Sequence, residues 1–139
     1  MRILILCTGN SSRSQMAEGF LESLNNEIEV HSAGTQPAPS VNPYAIRVMR
    51  EVGIDISHNK THHVEEFLDE EWDYVITVCG GAKETCPAFI GKVKNRVHIS
   101  FDDPAEAKGT DEEVLATFRR VRDEIKVEFQ KFYNEHLKS

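Results

Sequence analysis

Cys7 and Arg13 frame a short stretch, Cys7-Thr8-Gly9-Asn10-Ser11-Ser12-Arg13-Ser14, whose residue types suit nucleophilic chemistry on a tetrahedral oxyanion. Thr8, Gly9, Asn10, Ser11 and Ser12 are small enough to wrap backbone N–H groups around an anion, and Arg13 adds a planar fork for two of its oxygens. The same donors favour a thiolate at Cys7, the form in which sulfur attacks. Ser14 can add a hydroxyl hydrogen bond to that sulfur.

The chain has two more cysteines, Cys79 and Cys86, in Cys79-Gly80-Gly81-Ala82-Lys83-Glu84-Thr85-Cys86-Pro87. Buried free cysteines often serve as small apolar packing residues, and that plain reading stands beside a chemical one. An odd number of cysteines with no secretory leader does not describe a structural disulfide framework. In a helix, Cys79 and Cys86 would share a face with Cα atoms ~10 Å apart. A disulfide needs roughly 7 Å or less, so the two can pair only where the segment loops or unwinds. Gly80-Gly81 weakens a helix and Pro87 ends one, and the segment is expected to refold locally on oxidation.

The surrounding elements must bring these groups together. Arg2–Leu6 reads as a short buried strand, and Met16, Ala17, Phe20, Leu21 and Leu24 recur at helical spacing after the polar loop. Ser12 with Gln15 fits a capping box at that helix start. A second strand is expected near Ile28–Ser32. Asn42-Pro43 opens a helix that Gly53 closes. Asp73–Cys79 is apolar enough for an interior parallel strand, and Arg96–Ser100 is a shorter fourth. Thr110 and Glu113 cap a long last helix carrying Val114, Leu115, Phe118, Val121, Ile125, Phe129 and Phe132 on one face. Alternating strands and helices predict one doubly wound α/β domain over residues 1–139, a parallel sheet with helices on both faces. Cys7 then lies between a strand end and a helix N-terminus, where such sheets bind anions.

The net charge of −7 argues against nucleic acid or an anionic membrane as partner, so an anionic substrate must be held by local positive groups. No apolar run is long enough to cross a bilayer, and a cytoplasmic monomer is expected. His58, His62 and His63 read as solvated loop residues rather than zinc ligands. Glu65, Glu66, Asp69, Glu70 and Glu71 read as a solvated helix face. Trp72 is expected to cap the core rather than stack on substrate.

The Cys7–Ser14 loop resembles the phosphate loop of low-molecular-weight protein tyrosine phosphatases and their arsenate-reductase relatives. The likeness continues through Gln15-Met16-Ala17-Glu18-Gly19, Ser32-Ala33-Gly34, Asn42-Pro43, Asp55-Ile56-Ser57, Asp102-Asp103-Pro104 and Arg119–Ile125. It implies a flavodoxin-like three-layer sandwich with a four-stranded parallel sheet in the order 2-1-3-4 and a long C-terminal helix. It implies Cys7 as nucleophile, Arg13 and the loop as oxyanion binders, and Asp103 as the proton-transfer acid. Phosphate and sulfate are expected to occupy the same loop as arsenate.

Hydrolysis of a phosphoester consumes no electrons, whereas arsenate reduction consumes two, which two thiols supply by closing a disulfide. Cys79 and Cys86 therefore favour the thioredoxin-coupled arsenate-reductase branch. That branch implies a relay in which Cys79 displaces arsenite from Cys7, Cys86 moves the disulfide to Cys79–Cys86, and thioredoxin reduces it. No tightly bound cofactor is implied. Some relatives hold potassium beside the loop, with side chains matching Asn10, Glu18 and Ser32. The place of a further aspartate falls at or near His62, a poor ligand for a hard cation.

The alternatives are a tyrosine or small-molecule phosphatase using Cys7, Arg13 and Asp103, and a redox-sensitive oxyanion-binding module. Phosphatases of this family place aromatic residues after Asp-Pro to hold a phenyl ring. Here Pro104 is followed by Ala105-Glu106-Ala107, which favours a bare inorganic oxyanion.

Overall fold

A computed structural model describes residues 1–80 and 89–138. The strands are β1 (Arg2–Cys7), β2 (Glu29–Gly34), β3 (Glu71–Thr77) and β4 (Lys92–His98), and the helices are α1 (Arg13–Leu24), α2 (Pro43–Glu51) and α3 (Asp111–Phe132). All pairings are parallel, in the order β2-β1-β3-β4. This is the flavodoxin-like sheet order expected.

β1 is central, and Ile3–Leu6 are fully buried because both faces of the strand are covered. Ile3 and Ile5 pack into the cluster formed by α1, α2 and α3, including Met16, Leu21, Met49, Phe118 and Phe129. Leu4 and Leu6 face the opposite side, where Phe67, Trp72, Val75 and Phe89 form a smaller cluster. Among the described residues, that second face is covered by a single 3-10 turn, Val64–Phe67, and by Phe89.

Helix ends follow the chemistry of their residues. Asn42 Oδ1 accepts from Tyr44 N at 2.8 Å, with Pro43 in the first turn. α2 ends as Gly53, at φ 83°, donates to Arg50 O while Ile54 N reaches Met49 O, closing the last turn through a left-handed residue. Thr110 and Glu113 form a reciprocal cap at the start of α3.

Three expectations need correction. β4 begins at Lys92, not Arg96; its outward residues are polar because it is an edge strand, which hid its first half. The acidic run is not an α-helix. Val64–Phe67 forms a 3-10 turn that runs into a further turn at Leu68 and Asp69, and Glu71 already opens β3. Glu70 and Glu29 instead ion-pair with Arg2, whose guanidinium lies 4.4 Å from the Trp72 ring centroid. β3 also stops at Thr77, leaving Cys79 just beyond the strand end.

The ion cluster tying α3 to α2 yields a stability prediction. Buried Arg122 donates to Val48 O at 3.0 Å and Glu51 Oε1 at 2.8 Å, and Arg119 donates to Glu51 Oε2 at 2.7 Å. The Arg119 hydrogen bonds hold the Glu51 carboxyl down to about 2, against the cost of desolvation and with help from Arg122. Glu51 is about a third exposed, so solvent screens much of this. Glu51→Gln is expected to cost about 1–2 kcal/mol in urea unfolding at neutral pH. A depressed carboxyl stabilises above its ordinary value of 4.5 and loses that contribution as pH falls through about 2. The gap between the two proteins should therefore narrow over that acidic range; a constant gap would mean that charge is not its source.

Candidate active site

The carboxyl ends of the four parallel strands form one edge, and the residues singled out by chemistry gather there. Cys7 is the last residue of β1 and pairs in register with Gly34 at the end of β2. Thr77 of β3 pairs with His98 of β4. Hydrogen bonding continues past β3, with Val78 N donating to Leu6 O and Phe101 N to Val78 O. Cys79 is thereby carried one step beyond Cys7 on the neighbouring strand, and it is fully buried.

The loop after Cys7 is held from outside by its carbonyls. Thr8 O, Gly9 O and Ser11 O accept from Gln36 N, Ala38 N and Asn42 N at 3.0, 2.9 and 2.9 Å. Asn10 sits at φ 51°, the single non-glycine residue with positive φ among those described, so the loop turns sharply around the sulfur. Asn10 N donates to Cys7 Sγ at 3.2 Å, and Ser14 Oγ lies 2.9 Å from it. The sulfur therefore has hydrogen-bond partners on two sides. Cys7 is a free thiol, 2% exposed.

Ser12 is the residue before α1, but its side chain makes no capping bond, and Gln15 reaches elsewhere. The capping box read from the sequence is thus absent. Ser12 Oγ is the one buried side-chain oxygen or nitrogen without a hydrogen-bond partner among the described residues. An uncapped first turn behind a thiol suits an anion, since a capping side chain would compete for the same N–H groups.

Arg13, the first residue of α1, is 3% exposed and reaches the segment that follows β4. Its Nη1 donates to Phe101 O at 3.2 Å, and its Nη2 lies 3.7 Å from Asp103 Oδ2. Asp103 is less exposed than Asp102 and caps the 3-10 turn Pro104–Glu106 by accepting from Ala105 N at 3.0 Å. Asp102 points outward to Arg120. Ala105 and Glu106 are exposed, and no aromatic wall stands after Pro104.

Cys7, Thr8–Ser14, Cys79 and Asp103 therefore lie on one edge. Cys79 is disulfide-bonded. Cys86 falls outside the described residues, and so does the expected refolding of its segment.

The candidate potassium residues also come together, joined by hydrogen bonds. Asn10 Nδ2 donates to Ser14 Oγ and Ser32 Oγ at 2.8 and 2.9 Å, and Asn10 Oδ1 accepts from His62 N at 2.9 Å. Asn59 Nδ2 lies 3.1 Å from both Gln15 Oε1 and Glu18 Oε2. The His62 ring turns away to Glu66, at 3.3 Å. Burial pushes the partly buried Glu18 carboxyl up to about 7; a Ser32 hydrogen bond opposes this and nearby Glu22 adds to it. In this arrangement N–H groups hold the oxygens that an alkali cation would draw on. Sequence reasoning missed Asn59 and Gln15 as partners of the loop. Asn59 is remote in sequence, and an asparagine in a polar loop carries no signal.

The chain belongs to the low molecular weight phosphotyrosine protein phosphatase family, whose model matches residues 2–139. Within that family it is similar to proteins named arsenate reductase. One from Halalkalibacterium halodurans is 53% identical over 124 residues, covering 88% of each chain. Another from Bacillus subtilis is 50% identical over 124 residues, again covering 88% of each. A solved structure described as an arsenate reductase in the phosphate binding state superposes with a TM-score of 0.78 at 33% identity, over 96% of this chain and 97% of that one.

Proposed function

We propose that the protein reduces arsenate to arsenite through a relay of Cys7, Cys79 and Cys86, with thioredoxin as the final reductant. The observation that carries this reading is a free thiol in an oxyanion cradle beside a second, disulfide-bonded cysteine at the end of the adjacent strand. A hydrolase has no use for that second cysteine, and relatives named arsenate reductase support the redox choice.

Arg13 and the loop N–H groups hold three arsenate oxygens while the Cys7 thiolate attacks arsenic. One oxygen leaves as water, with Asp103 supplying a proton. The Cys79 thiolate then attacks Cys7 sulfur; the S–As electron pair departs with arsenic, which leaves as arsenite, and a Cys7–Cys79 disulfide remains. Cys86 attacks Cys79, frees the Cys7 thiolate and closes a Cys79–Cys86 disulfide. Thioredoxin's dithiol takes up that disulfide and becomes oxidised in its place. Such a cycle belongs in a reducing compartment such as the cytoplasm, and no helix among the described residues is long and apolar enough to cross a membrane.

The test follows NADPH oxidation by thioredoxin reductase and thioredoxin, started with arsenate. Sustained turnover that stops at a single equivalent in Cys86→Ser is expected. Absent arsenate turnover, with steady hydrolysis of an aryl phosphate that Cys86→Ser leaves intact, would make the protein a phosphatase.

A further inference from the structure

The phosphate loop is tied from behind by a side chain from a distant segment. Asn59 follows the β2–α2 region in the segment 57–63, and its own N–H anchors to Ile56 O at 3.1 Å. Its Nδ2 bridges Gln15 Oε1 and Glu18 Oε2 on α1. Gln15 in turn donates through Nε2 to Asn10 O at 3.1 Å and to Lys60 O at 3.1 Å. Asn10 carries the connection to the sulfur twice, through its backbone N–H to Cys7 Sγ and through Nδ2 to Ser14 Oγ, itself beside Cys7. Gln15, Asn10 and Ser14 are all fully buried, so each must keep its partners or lose hydrogen bonds that water cannot replace.

A bound alkali cation would gather the oxygens of Gln15, Glu18, Ser32 and Asn10 around one positive centre. The same oxygens here are gathered by N–H groups: Asn59 on Gln15 and Glu18, Asn10's own amide on Ser32, and the His62 backbone on Asn10 Oδ1. We propose that Asn59 is a positioning residue for Cys7, its side-chain amide standing where a cation would otherwise lock the loop, so that the protein holds its nucleophile without potassium. The inference rests on Cys7 being the nucleophile, but not on the identity of the substrate. Its test therefore reads the thiol directly.

The fully reduced full-length protein is alkylated with iodoacetamide, and labelling of the Cys7 peptide is followed by mass spectrometry, in chlorides of potassium, sodium or N-methyl-D-glucamine at equal ionic strength. Wild type should show the same Cys7 rate and the same melting temperature in all three salts. Asn59→Ala should label Cys7 about fivefold more slowly, the effect of one net hydrogen bond. Asn59→Asp, which puts an oxygen in place of the amide, should be slow in N-methyl-D-glucamine and regain speed and melting temperature in potassium. Asn59 is only partly buried, so these variants are expected to fold, and the wild-type salt comparison needs no variant at all. A wild-type rate or melting temperature that rises with potassium would overturn the proposal. So would an Asn59→Ala protein labelled at the wild-type rate, or an Asn59→Asp protein equally slow in every salt. Failure of arsenate turnover alone would instead count against the proposed reaction and leave these readings untouched.

Discussion

Cys7→Ser is expected to lower arsenate-dependent kcat/KM by at least ~10⁴-fold, while phosphate still binds. The size of the loss follows from the step that disappears. A serine hydroxyl at this position stays protonated at neutral pH, and the first bond to arsenic cannot form at a useful rate. Even a slow ester would lead nowhere in the proposed relay, where Cys79 attacks sulfur to pass two electrons to arsenic and oxygen cannot take that place. Binding is a separate matter. In the proposed site the anion is held by the loop and by Arg13, whose bond to Phe101 O does not involve position 7. The substitution puts a hydroxyl of similar shape where the thiol stood and so should leave phosphate affinity close to wild type. Calorimetric titration with phosphate, beside the coupled NADPH assay, separates the two effects. Turnover surviving in Cys7→Ser would move the chemistry to another thiol; lost phosphate binding would mean that the sulfur itself shapes the loop.

Much of this site was legible because its signals are local. A cysteine, a run of small residues and an arginine between a strand and a helix state both chemistry and place. Asn42-Pro43 and Thr110 with Glu113 announced their helix starts, since caps are made within four residues of one another. The same reasoning misled at Ser12, where the cap pattern is present but the hydroxyl makes no bond. At that point an anion site competes with a cap for the same N–H groups, and the sequence does not say which wins.

Contacts between distant segments were not legible. Nothing about Asn59 distinguishes it from any asparagine in a polar loop, and only the folded chain places it against Gln15 and Glu18. Likewise, the acidic run from Glu65 to Glu71 has helix-forming residues but breaks into one short turn and a strand. There Trp72 and Phe67 must both reach the second core, with Trp72 Nε1 donating to Phe67 O at 3.2 Å, and burial overrides propensity. The first half of β4 was hidden for the converse reason, because an edge strand can be polar on its open side.

Gly34 belongs to the same class of long-range contact, and substituting it should have the second large effect. Gly34→Ala is expected to lower arsenate-dependent kcat/KM by about 10²-fold with the fold retained. A Cβ at position 34 would lie 2.3 Å from Thr8 O, 2.9 Å from Thr8 C and 3.1 Å from Asn10 N. These are backbone atoms of the phosphate loop, so no side chain can rotate aside. β2 cannot retreat easily either, since Gly34 is held in register with Cys7 and its N–H donates to His62 O at 2.9 Å. The loop is the part that must move, by about 1 Å, and a shift of that size at a reacting group costs on the order of a hundredfold. Crowding should also cost about 1–3 kcal/mol of stability. Glu51→Gln is the control, because it destabilises the fold at a place remote from the loop and should leave kcat/KM near wild type. If Gly34→Ala turns over arsenate as fast as that control, the close approach of β2 does not set the loop's geometry. If it is slow while its melting temperature matches the control's, the loss belongs to the position of Cys7 and its cradle rather than to stability.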